Sequence, residues 1–317
     1  MRSLFLIPLL LSSFLSAAVE NDQAYTSLEK LSQSLRTLNF TTSFVVVKNN
    51  NAEPYHWSHG INEDNAEVEV LSILNGPHRD VVRRNNIVSY LESGIEPYSV
   101  NSAFIASPIP EIFSGNTEKL IKNYDLVSAG RSRILGRVAQ FIRIIPKDPF
   151  RYGHWVWLDK DSGLLLKLAV INDNGQVLEQ IQFTHLELDE TINPSLQQIE
   201  LTDLPTVIDL PDLVQKQDHA WGLSWLPEGF VEINANTHRI MHTKQPTEFK
   251  MFSDGLVDFS VYVSPSQDEN RPSGFAQDGA TIAFNEVING IEVSVVGKIP
   301  ASTAQKIASS LIFKVTP

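Results

Sequence analysis

The chain contains no cysteine among its 317 residues. Disulfides, thiolate metal ligands, a cysteine nucleophile and the acylated cysteine of a lipoprotein are therefore all excluded. Because no covalent crosslink is available, the fold has to be stabilised by buried apolar side chains. Apolar residues make up 42% of the sequence, which is enough for a sizeable core.

The sequence also lacks the motifs of several enzyme classes, with no Gly-x-Gly-x-x-Gly and no Walker loop. Ser27-Leu28-Glu29-Lys30 has the Ser-x-x-Lys spacing of penicillin-recognising enzymes, but no Lys-Thr-Gly follows it. Gly222-Leu223-Ser224-Trp225-Leu226 lacks the second glycine of a nucleophile elbow. We interpret both matches as chance, assign no catalytic residue and predict that the protein is not an enzyme.

The eight histidines do not form a metal motif. His56 and His59 are three residues apart in a β-type segment, where such side chains point to opposite faces. His238 and His242 have helical spacing, but Thr237, Thr243 and the Gln-Pro that follows do not favour a helix. Since neither pair has a third ligand nearby, the sequence predicts neither a metal site nor a cofactor.

Positive charge is scarce, with 25 Lys and Arg against 37 Asp and Glu, and the formal net charge is −12. Nucleic acids and anionic lipid surfaces repel a protein of this charge, so the sequence predicts no nucleic-acid partner. The overall negative charge does not exclude a local basic patch on the surface.

The amino terminus is typical of an export signal. Arg2 precedes the apolar run Leu4 to Leu11, and Ser16-Ala17-Ala18 supplies the small residues of a cleavage site. A spanning helix needs about 18 consecutive apolar residues, whereas Pro8 and three serines interrupt this run. We predict that residues 1–18 are removed, that the mature chain starts at Val19, and that it carries no lipid; an uncleaved anchor is the alternative.

The remaining chain is long enough for two domains and is rich in strands. Leu28, Leu31, Leu35 and Leu38 first form one apolar stripe of a predicted helix. Short β-type segments separated by turn residues then predict an antiparallel meander. These segments are Thr41–Lys48, Ala66–Leu74, Asp80–Leu91, Ile134–Pro146, His154–Leu158, Leu164–Ile171 and Val177–Leu188.

A change in composition predicts the domain boundary. The strand pattern ends near Ile192, and Pro194, Pro205 and Pro211 follow among acidic and Gln residues. We predict a first domain at 19–205, a linker at 206–218 and a second domain at 219–317. The second domain should contain several strands and a closing helix that begins at Pro300 and carries Ala304, Ile307, Ala308 and Leu311 on one face.

Aromatic residues are conspicuous in the first domain. In Trp155-Val156-Trp157-Leu158 both faces of the strand are apolar, which favours a strand that is covered on both sides or faces a cavity. Sheet core is the plain interpretation of these aromatics, and an apolar ligand cavity is the other. The candidate cavity residues are Phe44, Trp57, Tyr90, Trp155, Trp157 and Phe183.

Several segments, in this order, resemble the RseB/MucB family of periplasmic sigma-E regulators. They include Gly76–Val100, Gly130–Gly153, Leu178–Phe183, Trp225–Phe230, Ser253–Val261, Asp278–Thr281 and Val295–Ser310. The resemblance implies an α+β fold of mostly antiparallel strands. It implies a large amino-terminal half-barrel similar to LolA and LolB, with helices over one face, and a smaller α/β carboxy-terminal domain.

The resemblance also implies a function. In this family, a periplasmic protein binds the periplasmic region of a membrane-spanning anti-sigma factor and shields it from regulated proteolysis. Lipopolysaccharide or mislocalised lipoprotein relieves that shielding. The expected partners are therefore the anti-sigma factor and lipopolysaccharide or lipoprotein acyl chains. The resemblance leaves the formation of a homo-oligomer undecided.

Aromatic residues of the second domain are the candidate anchors for the partner peptide, since such residues beside a domain junction suit an inserted segment. They are Trp221, Trp225, Phe230, Phe252 and Phe259, for which the core of the small domain is the equally good alternative. A lipid or lipoprotein carrier of the LolA/LolB type is the alternative function. Carriers of that fold usually have one domain, so the second domain favours the regulator.

Overall fold

The computed structural model describes residues 11–208, 219–239, 246–268 and 271–314. Its first element is a long helix, α1 (Leu11–Thr37). The predicted signal segment lies partly outside the described residues, so its cleavage stays a prediction. No helix in the described parts of the chain has the length and apolar character needed to cross a membrane.

The first unit is one sheet of eleven strands. All neighbouring strands pair antiparallel, in the order β6-β5-β4-β3-β2-β1-β11-β10-β9-β8-β7. The strands are β1 (Asn39–Lys48), β2 (Asn51–Ile61), β3 (Glu67–Ile73), β4 (Arg79–Arg84), β5 (Ile87–Glu92), β6 (Tyr98–Asn101), β7 (Tyr124–Ile134), β8 (Arg137–Pro146), β9 (Gly153–Asp159), β10 (Leu165–Ile171) and β11 (Val177–Asp189).

The strand predictions of the first unit need correction at several points. The segment Asp80–Leu91 is not one strand, because Asn85 adopts a positive φ of 55° and turns the chain between β4 and β5. Asn tolerates this left-handed conformation and is favoured in tight hairpin turns. Strands β2, β6 and β7 were not predicted. The first half of β2, Asn51-Ala52-Glu53-Pro54, has little strand character.

One face of the large sheet, here called the inner face, packs against α1. Alternate residues of β1 point to this face, and Phe40, Phe44 and Val46 are buried there. The predicted helical stripe is confirmed for Leu28, Leu31 and Leu35, which are buried, whereas Leu38 follows the end of α1 at Thr37. Between β6 and β7, two 3₁₀ turns (Glu111–Ser114 and Thr117–Lys119) and the single-turn α2 (Leu120–Asn123) add Ile112, Phe113 and Leu120 to the same core.

The opposite, outer face is covered over a smaller area. Helix α3 (Pro194–Glu200) begins after the N-cap Asn193, whose side chain accepts a hydrogen bond from the Ser195 amide. Leu196 on this helix and Ile192 before it pack on Val68 of β3. Gly60 permits the approach, since a Cβ there would lie 2.5 Å from Cγ1 of Ile192.

The second unit contains a six-stranded antiparallel sheet, a closing helix and a two-stranded ribbon. The order in the larger sheet is β13-β14-β15-β18-β17-β16, and β12 pairs with β19. The elements are β12 (Trp221–Leu223), β13 (Val231–Arg239), β14 (Pro246–Ser253), β15 (Asp258–Pro265), β16 (Gly274–Asp278), β17 (Thr281–Ile288), β18 (Ile291–Gly297), α4 (Ala301–Ala308) and β19 (Leu311–Phe313).

The fold-class prediction is confirmed, since the protein is mostly antiparallel β with a large sheet and a smaller second unit. The closing helix is confirmed for Ala304, Ile307 and Ala308, which are buried on α4, whereas Leu311 lies beyond its end, in β19. One hydrophobic cluster nevertheless runs through both units, from α1 to α4. The two units therefore meet through a continuous apolar core.

Candidate functional site

A cavity of about 870 Å³ lies where the inner face of the large sheet meets the second unit. Residues of β2 to β5, β10 and β11 line one side, and the segment from Ser102 to Glu111 lines another. The second unit contributes Leu256, Val257, Asp258, Gly297 and Lys298. The volume falls within the range of pockets that hold drug-sized ligands.

Most of the cavity wall is apolar. Its floor includes Leu71, Val81, Leu168, Val170 and Ile181, all of them buried core residues. An aliphatic chain is the kind of ligand that such a surface suits, because each buried CH₂ contributes about 0.8 kcal/mol.

Two ion pairs interrupt the apolar wall. Lys298 of the second unit donates to the Glu179 carboxylate on β11 across 2.6 Å. Arg79 on β4 lies 3.3 Å from Glu92 on β5. Both pairs line the cavity together with Glu111 and Asp258, so its charged groups are two cations and four carboxylates beside the apolar surface.

His154 on β9 also lines the cavity and is only 2% exposed. Burial and then the nearby Lys298 ammonium lower the pKa of His154 to about 3. Its Nδ1 has no hydrogen-bond partner among the described residues. His154 is therefore neutral near pH 7, and it leaves a free polar atom in a largely apolar wall.

The structure brings together only some of the predicted cavity residues. Tyr90 lines the main cavity, and Trp57 lines a smaller adjoining recess. Phe44 and Phe183 stack in the core at a ring-centroid distance of 5.2 Å.

Trp155 and Trp157 are placed elsewhere, and their prediction as cavity residues is not supported by this placement. They alternate with the buried Val156 and Leu158, so their rings lie on the outer face of β9. There Trp157 stacks on Phe141 with ring centroids 4.7 Å apart, and the Lys167 ammonium lies 5.1 Å from the Trp157 ring centroid.

A buried charge network joins the two units on one side of the cavity. Arg151, in the loop before β9, is fully buried and donates to Asp254 of the second unit at 2.7 Å. The same guanidinium bonds both carboxylate oxygens of Asp148 and the backbone carbonyl of Glu228. Tyr124 donates its hydroxyl to Asp254 at 2.7 Å, and burial followed by the Asp254 charge raises the pKa of Tyr124 well above its usual value.

More exposed contacts join the units elsewhere. The Lys48 ammonium lies 2.6 Å from Asp278, and Asn49 donates to the same carboxylate at 2.8 Å. At the junction around α4, the Lys306 ammonium lies 3.9 Å from the Trp225 ring centroid and 4.6 Å from that of Phe150. These contacts lie outside the cavity wall, so a ligand in the cavity does not touch them directly.

Four of the five predicted partner anchors are inside the core. Trp221, Phe230, Phe252 and Phe259 are at most 6% exposed. Phe259 packs on both Phe230 and Phe252 at ring distances of 5.1 and 5.2 Å. Trp225 is the partly exposed member. In this conformation the four buried rings contact the protein itself, and their role toward a partner stays a prediction.

Sequence reasoning missed the network around Arg151. Arg151 and Asp254 lie in two of the segments that carried the family resemblance, Gly130–Gly153 and Ser253–Val261. Local sequence offered no sign that they pair, because 103 positions separate them. Among the described residues, no three His, Asp or Glu side chains lie close enough together to hold a metal ion.

Comparison with known families gives two matches in consecutive order. The MucB/RseB N-terminal domain matches residues 23–208, and the MucB/RseB C-terminal domain matches residues 215–312. Among curated proteins, the sigma-E factor regulatory protein RseB of Haemophilus influenzae is 33% identical over 308 residues, covering 97% of this chain and 96% of the relative. The sigma factor AlgU regulatory protein MucB of Pseudomonas aeruginosa is 29% identical and covers 98% of each.

Solved structures give the same result. The complex of Pseudomonas aeruginosa MucA and MucB matches with a TM-score of 0.75 and 27% identity, covering 93% of this chain and 100% of that chain. A structure of MucB in complex with MucA(peri) matches with a TM-score of 0.73 and 28% identity, covering 92% of this chain and 100% of that one.

Proposed function

This chain belongs to the MucB/RseB family, and we propose that it is a periplasmic negative regulator of a sigma-E type stress response. It binds the periplasmic region of a membrane-spanning anti-sigma factor and shields that region from regulated proteolysis. An amphiphile such as lipopolysaccharide or a mislocalised lipoprotein relieves the shielding.

One observation carries this proposal: the likeness to MucB bound to MucA extends over 93% of the chain and includes both units. The curated relatives are named as sigma factor regulatory proteins, which supports regulation rather than catalysis. Periplasmic location is supported by the export signal in the sequence and by the periplasmic partner in the name of the MucA(peri) complex.

The cavity supports the sensing part of the proposal. Its apolar wall fits acyl chains, and an anionic headgroup binds Arg79 or Lys298 by replacing their partners Glu92 or Glu179. Because Lys298 is also the partner of Glu179 across the junction, a headgroup that binds Lys298 competes with a contact between the units. Amphiphile binding then favours a different arrangement of the two units, and the affinity for the anti-sigma factor changes with it.

The division into a domain at 19–205, a linker at 206–218 and a partner-binding domain at 219–317 is part of the proposal. The partner contacts one or both units near their junction. Trp225 is the predicted anchor that this conformation leaves partly accessible.

Calorimetric titration tests partner binding. The purified chain is titrated with a synthetic periplasmic segment of the anti-sigma factor from the same organism, and a scrambled segment of equal composition is the control. We expect saturable binding of the native segment alone. Equal heats from the two segments would overturn anti-sigma factor binding.

A cleavage assay tests the shielding. The anti-sigma factor segment is exposed to the protease that processes it, with and without an excess of this chain. We expect the excess to slow cleavage, and an unchanged cleavage rate under conditions of proven binding would remove shielding from the proposal.

A lipid or lipoprotein carrier is the second candidate, and the 870 Å³ cavity is the observation that favours it. A carrier has to release its cargo to an acceptor, whereas a sensor only has to respond to it. Transfer of a fluorescent lipoprotein from this chain to acceptor vesicles or a receptor, together with no binding to the anti-sigma factor segment, would favour the carrier.

A further inference from the structure

A second recess of about 590 Å³, here called the outer groove, lies on the outer face of the large sheet. Val70, Val82 and Leu91 of β3, β4 and β5 form its floor. Ile199, Leu204 and Pro205 form the opposite wall. The sheet itself separates this groove from the inner cavity, and the two have no lining residue in common.

The course of the chain after α3 creates the groove. The helix covers Val68 and ends at Glu200. The chain then crosses to β6, where the Ser99 amide donates to the Thr206 carbonyl at 3.0 Å and the Ser99 hydroxyl to the Pro205 carbonyl at 2.7 Å. This crossing leaves the apolar floor open, and Leu201 beside it is 88% exposed.

Three carboxylates line the groove, and Arg84 of β4 borders it, where its guanidinium donates to the Glu200 and Thr202 carbonyls. The carboxylates are those of Asp80, Glu96 and Asp203, and no Lys, Arg or His is among the lining residues of the groove. Asp80 has the exposed His78 as a neighbour at 3.1 Å, whereas Glu96 and Asp203 have no ion-pair partner in the described part of the chain. An apolar floor bordered by three carboxylates is complementary to a molecule that is apolar on one side and cationic at its edges.

The neighbouring stretch of this chain has the wrong charge for that role. Residues 209–218 contain Asp209, Asp212 and Asp218 but only Lys216, a net charge of 1 − 3 = −2. Like charges oppose its docking against the three carboxylates. The overall net charge of −12 likewise favours a cationic partner over a second copy of this chain.

We propose that the outer groove binds a cationic amphipathic peptide segment of another protein. Two or three apolar side chains of the segment lie on Val70, Val82 and Leu91, and its Lys or Arg side chains pair with Asp80, Glu96 and Asp203. The groove volume is within the range of sites that bury a few side chains, and docking of an amphipathic segment in an apolar groove is a common recognition mode. The outer groove shares no lining residue with the inner cavity, to which the proposed function assigns the amphiphile.

Fluorescence anisotropy with two designed peptides tests the proposal. One peptide is an amphipathic helix of leucine and lysine, and the other carries glutamate at every lysine position. We expect the lysine peptide to bind the full chain, with an affinity that falls as salt increases, and the glutamate peptide not to bind.

Charge variants then locate the binding. The triple variant Asp80→Asn, Glu96→Gln, Asp203→Asn should bind the lysine peptide roughly 5- to 50-fold more weakly, as expected for the loss of three partly exposed ion pairs. The matched control Glu118→Gln, Asp161→Asn, Asp173→Asn removes the same number of exposed carboxylates elsewhere and should change the affinity less than about twofold.

Equal weakening in the two triple variants would mean general attraction to a negative protein and would overturn the site. Binding of both peptides with equal affinity would overturn the role of the carboxylates. If the groove variant fails to fold, the single charge reversal Glu96→Arg decides the question, because Glu96 is exposed. Unchanged affinity in a folded Glu96→Arg protein would contradict the proposal.

Discussion

Arg151 of the large unit and Asp254 of the small unit form an ion pair of 2.7 Å in which neither side chain has any solvent exposure. This ion pair connects the two units, and Asp254 also stabilises the turn in which it lies. Its second carboxylate oxygen accepts hydrogen bonds from the Leu256 and Val257 amides at 2.9 and 3.0 Å. Those two residues in turn line the inner cavity.

Arg151→Met should lower the free energy of unfolding by about 3–5 kcal/mol, because it leaves a buried carboxylate without its charged partner. Asp254→Asn should also destabilise, since Arg151 then retains only Asp148 as an anionic partner. Urea denaturation of each variant and of the double variant measures the coupling between the two residues.

The exposed pair between Arg271 and Glu292 provides the control. Arg271→Met should cost less than about 1 kcal/mol, as is usual for surface ion pairs. Equal costs for Arg151→Met and Arg271→Met, or strict additivity in the double variant Arg151→Met, Asp254→Asn, would contradict the assigned role of the buried pair.

Gly229 allows the two units to approach at another point of the junction. It has a φ of +85°, and a Cβ there would lie 2.1 Å from the side-chain amide nitrogen of Asn123. Gly175 has a similar φ of +76° with no atom within 4 Å of such a Cβ, and it serves as the matched control. Gly175→Ala should cost about 1–2 kcal/mol from backbone conformation alone.

Gly229→Ala should cost more than Gly175→Ala, because the junction has to move in addition to the same backbone penalty. Urea denaturation of the two variants gives the difference. Equal losses of stability would mean that Asn123 moves aside freely and that the close approach at Gly229 does not matter.

His154 should make the stability of the protein depend on pH. Its pKa is about 3 in the folded state because burial and then Lys298 disfavour the charged form, whereas an unfolded histidine has a pKa of about 6.5. The unfolded state therefore takes up a proton first as the pH falls, and stability is lost from about pH 6.5 downwards. Between pH 7 and 5 the loss from this residue should be about 2 kcal/mol.

The variant His154→Gln should lose less stability over this range than the parent protein, as measured by urea denaturation at each pH. His185→Gln, at an exposed position on β11, is the control and should keep the parent profile. If the stability of the parent and of His154→Gln changes with pH in the same way, His154 has the same pKa in the folded and unfolded states.

The ion pair between Lys298 and Glu179 should couple the amphiphile to the partner. For the parent protein, dodecyl phosphate below its micelle concentration should weaken binding of the anti-sigma factor segment by about 5- to 150-fold. In the variant Lys298→Met, Glu179→Gln this factor should fall toward 1, because the headgroup no longer competes for a contact between the units. Calorimetric titration with and without dodecyl phosphate measures the factor.

The variant Lys48→Met, Asp278→Asn removes another ion pair that joins the units but does not line the cavity. It should keep the parent coupling. Loss of coupling in both variants would point to general loosening of the junction, and retention in both would exclude Lys298 as the sensing contact.

The sequence alone predicted much of the local structure. Apolar stripes gave α1 and α4, since a helix that packs on a sheet needs apolar residues every three or four positions. Most strands were visible from their β-branched and aromatic residues. The family resemblance was also present in the sequence, and the matches to both MucB/RseB domains confirm it.

Two of the errors in strand prediction have local causes. Asn85 and Asn86 interrupt a segment that otherwise has strand composition, and only the positive φ of Asn85 divides it into β4 and β5. Asn51-Ala52-Glu53-Pro54 begins β2 because pairing with β1 overrides a weak local preference for strand.

Only the tertiary structure decided which residues share a site. Trp155 and Trp157 lie on the outer face because Val156 and Leu158 of the same strand fill the core, and composition does not say which half of an all-apolar strand faces inward. Arg151 meets Asp254 through the packing of two units that are far apart in sequence. The inner cavity depends on that same packing, because its wall belongs to both units and exists only where they meet. Local sequence fixes periodicity and turns, whereas such long-range proximity is determined by how complete sheets and helices pack together.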